Sequence, residues 1–108
     1  MNQQDEVRFA KEFFDDCLST LVKKAHDYAQ DDDCFSNFSK IADTIEIPIE
    51  KVFLMFIVVK IARIVELSKK KESLTGESMM DSLSDITNYA CLLNIYLNQD
   101  SDGKETHE

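Results

Sequence analysis

Apolar residues recur at intervals of three and four along most of the chain. From about Asp5 to Tyr28 they fall at Val7, Ala10, Phe14, Cys17, Leu21 and Ala25, with Lys11, Asp15, Ser19 and Lys23 on the other side. This is the period of an amphipathic helix, about 3.6 residues per turn. The run Gln30-Asp31-Asp32-Asp33 breaks the pattern, and consecutive acids favour turns and helix starts. Ser36 or Asn37 can then cap a short second helix through Phe38, Ile41 and Ile45. A proline pushes the residue before it out of helical space and itself suits a first helical turn. Ile47-Pro48 therefore separates the second helix from a third, predicted from Pro48 to about Lys70.

The third helix has a different pattern. Its middle, from Val52 to Val59, is apolar all the way round, which predicts burial on more than one side. In so short a chain, a second subunit would cover part of it. Lys69-Lys70-Lys71 sets positive charge at the negative end of the helix dipole and ends the helix. Gly76 turns the chain into a fourth helix, from about Glu77 to Asn98. Its core stripe is predicted at Met79, Leu83, Ile86, Ala90, Leu93 and Leu97. No strand-like alternation and no repeat intervenes. The expected fold is all-α, a small antiparallel four-helix bundle that forms a homo-oligomer through the apolar third helix.

With 108 residues the chain is about one domain. Residues 1–98 form the expected helical domain, and 99–108 an acidic tail without a large apolar residue. Such a tail cannot offset its ordering entropy, so it is expected to be disordered. The formal charge of -9 would repel a phosphate backbone, which argues against duplex nucleic acid as a partner. The three cysteines, Cys17, Cys34 and Cys91, are far apart and form no C-x-x-C pair, which suits a reducing cytoplasm. Met1 to Glu12 lacks the basic start and apolar run of a signal peptide, so secretion is not expected. The apolar run before Lys60 is far shorter than the roughly 20 residues of a membrane span. Two glycines can build neither a G-x-x-x-x-G-K phosphate loop nor a G-x-G-x-x-G turn.

Candidate chemistry collects on the fourth helix. Glu77, Asp81 and Asp85 lie within about 80 degrees of one another on a helical wheel, with Asn88 between the first two. This puts them opposite the expected core stripe. The same side turns apolar at Leu92 and Ile95, so another element should cover it, and a covered row of acids needs cations. Magnesium with a substrate phosphate is one such cation, since oxygen ligands at one-turn spacing suit it. Glu77 and Asp81 can equally serve the helix start, Asp81 closing a capping box with Ser78. Asp85 lies beyond the first turn and has no such explanation. Lys60 and Arg63, one turn apart on the third helix, need anions: either the fourth helix's acids or the phosphates of a ligand. Asp27 and Tyr28 follow His26 at the end of the first helix and offer a carboxylate and an aromatic face. His26 can simply complement the dipole there, and Tyr28 can close the core. Phe35 and Phe38 can staple the second helix or sandwich a base.

Four motifs stand in order: K-x-H-D-Y-A at Lys24 to Ala29, D-x-F-S-N-F at Asp33 to Phe38, K-x-x-R at Lys60 to Arg63, and E-S-x-x-D-x-L-x-D-x-x-N-Y-A at Glu77 to Ala90. Together, over about residues 20–95, they resemble the phage and bacterial proteins called nucleotide modification associated domain 1. That family looks similar to the all-α nucleoside triphosphate pyrophosphohydrolases of the MazG type. The resemblance implies a helical bundle that often oligomerises, with a nucleotide site between helices. In the hydrolases it also implies a magnesium-bound acid cluster that cleaves between the α and β phosphates. Those hydrolases carry E-E-x-x-E on one helix and E-x-x-D on the next. This chain has no E-E-x-x-E, and Lys60 and Arg63 occupy the helix that should hold it; Glu12-x-x-Asp15-Asp16 is the nearest substitute.

The leading expectation is therefore a phage-type nucleotide-binding protein, in the host cytoplasm if phage-encoded, that sequesters its ligand without a definite cofactor. Lys60 and Arg63 would hold phosphate, Asp27, Asp85 and Asn88 would read base or ribose, and Tyr28 or Phe38 would stack. Such a protein would serve nucleotide metabolism or remove a host defence signal. The alternative is a magnesium-dependent pyrophosphohydrolase in which Glu77, Asp81 and Asp85 hold the metal. A further alternative is an interaction protein whose apolar third helix docks on a host target.

Overall fold

The structure is a computed structural model. It describes residues 1–28, 33–70 and 76–104, without the side chains of Asp27, Tyr28, Glu77 and residues 100–104. Four helices make up the fold: α1 (Gln3–Tyr28), α2 (Ser36–Ile45), α3 (Ile49–Ser68) and α4 (Glu77–Lys104). There is no strand among the described residues, so the protein is the all-α bundle that the spacing predicts. None of these helices is long and apolar enough to cross a membrane.

The boundaries follow local chemistry. Phe35, not Ser36 or Asn37, occupies the cap position of α2 and makes no side-chain capping bond. Asp33 organises the entry instead: its carboxylate accepts the Phe35 N–H at 2.9 Å and its carbonyl accepts the Ser36 N–H at 3.1 Å. An Asx-type turn thus feeds the helix, with Ser36 already inside it. At the other end the N–H groups of Glu46 and Ile47 both bond the Ala42 carbonyl. This closure needs a left-handed residue, and Glu46 supplies it at φ 58°, ψ 50°. A Cβ is unfavourable there, so Glu46→Gly is expected to stabilise the protein by about 0.5–1 kcal/mol. Urea unfolding checks this, and a destabilised variant would show that Glu46 has a role its backbone does not reveal. Past Asn98 the helix continues to Lys104, because no residue before Gly103 breaks it. The helix thus runs into the expected tail, and 105–108 lie outside the described residues.

The main core joins α2, α3 and α4 and is largely aromatic. Phe35, Phe38, Ala42, Val52 and Phe53 are buried, and Phe56, Tyr89, Leu92 and Tyr96 pack around them. Phe53 pairs with Tyr96, Phe56 with Tyr89 and Lys60 with Asp85, so α3 and α4 run antiparallel. Cys17 meets Asn88 and Lys24 meets Asp85, so α1 also runs antiparallel to α4. Substantial packing of α1 among the described residues is against α4 alone.

Three predicted faces are corrected. On α1 only Cys17 of the expected stripe is buried, while Val7 and Phe14 are exposed. On α3 the burial is one-sided: Val52 and Phe53 are sealed, but Leu54, Met55, Val58 and Val59 face outward. The inner face of α4 is rotated toward the acids. Ser82, Asp85, Asn88, Tyr89, Leu92 and Tyr96 lie inward together with Met79 and Leu93 of the predicted stripe, whereas Leu83, Ala90 and Leu97 are exposed. The stripe does not lie opposite Asp85 and Asn88, because those two polar residues find partners on α1 and α3.

Candidate functional site

Asp85 lies two turns into α4, where the helix is flanked by α1 on one side and α3 on the other. Its carboxylate is 14% exposed and both oxygens are engaged: Oδ2 accepts from Lys60 Nζ at 2.9 Å, and Oδ1 from Lys24 Nζ at 3.2 Å. Burial alone would raise the Asp85 pKa. Hydrogen bonds from Lys60 and Lys24, with the charges of both lysines, outweigh it and hold the group below the ordinary carboxylate value. One carboxylate thus ties together three helices.

Beside this node lies a cleft of about 260 Å³ between α1 and α4, lined by Thr20, Lys24, Asp81, Ser84 and Asp85. Thr20 and Lys24 are one turn apart on α1, as are Asp81 and Asp85 on α4, and helical spacing alone brings each pair to one wall. The cleft wall therefore carries one ammonium group, two carboxylates and two hydroxyls.

The other residues singled out by their sequence pattern have different surroundings. Asn88, 8% exposed, donates from Nδ2 to the Cys17 carbonyl at 3.0 Å and pins α1 to α4. Phe38 is buried and stacked on Phe53 at 4.2 Å, with Phe56 and Tyr89 around it, so its ring faces the core. Arg63 is exposed one turn beyond Lys60 and makes no ion pair among the described residues. Asp81 is exposed at the cleft. The side chains of Asp27, Tyr28 and Glu77 lie outside the described residues. The structure thus brings Lys60 and Asp85 together, with Asp81 beside them, and keeps Phe38 apart.

Magnesium can be tested against this arrangement. Both oxygens of Asp85 already face ammonium groups, and a cation would have to displace them. Among the described residues, no group of three or more His, Cys, Asp or Glu side chains is placed to hold a metal ion. The described residues at Asp85 do not fit the metal.

Three cleft residues, Thr20, Lys24 and Ser84, have no site role in the sequence reading, although Lys24 opens the K-x-H-D-Y-A motif. Lys24 and Thr20 lie on the same arc of α1 as the buried Cys17, and that shared arc is the signal for them. No family model, curated protein or solved structure matches this chain. The functional argument therefore comes from the arrangement itself.

Proposed function

We propose that the protein binds a phosphate-bearing nucleotide at the cleft between α1 and α4 and holds it without cleaving it. The observation that carries this reading is the node at Asp85, where Lys24 and Lys60 share one carboxylate beside a polar cleft; Asp81 balances the second lysine, so the exposed Arg63 is the cation in excess. Arg63, exposed one turn further along α3, adds a planar fork suited to phosphate. Asp81, Thr20 and Ser84 supply acceptors and hydroxyls for ribose or base. A cleft of about 260 Å³ is slightly below the roughly 300 Å³ of small-molecule pockets, so it would take the phosphate and sugar and leave the base toward its rim. The family resemblance of the motifs points the same way. A protein that holds a nucleotide intact lowers its free concentration, which suits removal of a nucleotide signal.

The test is a thermal-shift series with nucleoside triphosphates and cyclic nucleotides, with and without magnesium, followed by chromatography of any stabilising ligand. A ligand at 100 times its Kd adds about 2.7 kcal/mol, so a rise of several degrees is expected without magnesium, with the ligand recovered intact. Arg63→Ala should abolish that rise while leaving the unliganded Tm unchanged. No shift with any nucleotide would sink the proposal, and release of monophosphate and pyrophosphate would replace it with hydrolysis.

A further inference from the structure

Lys24 and Lys60 both rest on Asp85, but they are held differently. Lys60 comes from α3 at 2.9 Å and is 28% exposed. One turn before it on α3, Phe56 packs on Tyr89 of α4 at 5.4 Å, and this aromatic contact fixes the distance over which Lys60 reaches Asp85. Lys24 comes from α1 at 3.2 Å, is 47% exposed and lines the polar cleft.

A lysine is a point charge on a flexible four-carbon stem, so Lys24 can leave Asp85 by side-chain rotation alone. Its departure does not undock α1. The Asn88 bond to the Cys17 carbonyl, at 3.0 Å, lies two turns away along α1, and Cys17 stays buried. Nor is the carboxylate left alone, because Lys60 still faces Oδ2. One lysine of the node is thus structural and the other is free to exchange its partner.

We infer that Lys24 is the movable phosphate ligand of the cleft and that Asp85 holds it in check. The inference rests on the nucleotide reading above, and it gives to Lys24 the phosphate contact that the sequence pattern gives to Lys60. A phosphate entering the cleft takes the Lys24 ammonium from Oδ1, while Lys60 remains on Oδ2 and keeps α3 joined to α4. Binding then breaks one ion pair for each one it forms. The affinity falls by the fraction of time that Lys24 spends off Asp85. An anion that meets Lys24 alone gains little by this exchange. A ligand that also reaches Arg63, Thr20 or Ser84 gains those contacts in full, so the Asp85 carboxylate selects against bare phosphate.

Inorganic phosphate is the probe, because it needs no base or sugar contact and its outcome is independent of the nucleotide screen. Calorimetric titration of the full chain should show Asp85→Asn binding phosphate at least about threefold more tightly than wild type, since an exposed ion pair is worth up to a factor of about five. Lys60→Met added to Asp85→Asn should keep most of that gain, and this pair also guards against loss of fold in the single variant. Lys24→Met added to Asp85→Asn should abolish it. In Asp85→Asn, phosphate should slow acetylation of Lys24 by acetic anhydride, read by mass spectrometry, and leave Lys60 unchanged. Phosphate binding that is absent from or no tighter in Asp85→Asn overturns the inference. So does a gain that survives Lys24→Met, a gain lost with Lys60→Met, or equal protection of both lysines. A gain that follows Lys24, with no nucleotide bound by wild type, supports the inference and removes the nucleotide reading instead.

Discussion

Phe53→Ala is expected to remove about 3–5 kcal/mol of stability, the largest loss for any single side chain here. The ring is fully buried and sits where three helices meet. It stacks on Phe38 from α2 at 4.2 Å and meets Phe35 at 6.1 Å and Tyr96 from α4 at 6.0 Å. Truncation deletes the ring's own burial and leaves a cavity that rigid aromatic neighbours cannot fill by small shifts. Small domains are stable by only about 5–15 kcal/mol, so this loss is a large fraction of the total. Urea unfolding should show a lower midpoint with an unchanged slope, and Phe53→Leu should recover more than half of the loss. A loss under about 1 kcal/mol would mean that the core does not centre on this ring.

The second large effect belongs to Asp85. Asp85→Asn keeps the size of the side chain but leaves two ammonium groups with no counter-charge. Breaking a fully buried pair costs about 3–5 kcal/mol; because Lys24 is 47% and Lys60 28% exposed, water relieves part of this, and about 2 kcal/mol is expected near pH 7. The dependence on pH has a definite sign. The folded Asp85 titrates below its ordinary value of 3.8, so the ion pairs stabilise the protein above that pH. Their contribution disappears as pH falls through the lowered folded value. Wild type and Asp85→Asn should therefore differ by a constant amount from about pH 5 to 7 and converge below about pH 4. Adding Lys60→Met to Asp85→Asn should restore part of the loss, a coupling that two independent sites would not show. A difference that persists in acid would show that the carboxylate's charge is not the cause.

These two residues also separate what is legible along the chain from what is not. Phe53 lies in an apolar run whose burial composition predicts, but only the side with Val52 and Phe53 is sealed. The helices themselves were equally legible, since Pro48 and Gly76 mark two boundaries and the three-four spacing marks the rest. Asp85 stood out because capping could not explain it, and its cover by another element was readable from Leu92 further along the helix, although Ile95, which gave the same expectation, is exposed. Its partners were not readable as a set: Lys60 was left between an ion pair and a ligand phosphate, and Lys24, though it opens a quoted motif, had no role assigned. Phe38 and Asn88 had two chemically reasonable roles each, and the arrangement puts one in the aromatic core and the other on the Cys17 carbonyl.

Helix positions follow from local spacing, because a turn closes over residues three and four apart and a proline or glycine interrupts it. Which face of a helix turns inward is settled by residues distant in the chain. Leu83 and Leu97 were the natural choice for α4, yet Asp85 and Asn88 point inward because Lys24, Lys60 and the Cys17 carbonyl meet them there. A buried polar group is tolerable only with a partner in place. Here those partners come from two other helices, so the inner face of α4, and with it the cleft, exists only once the chain has packed.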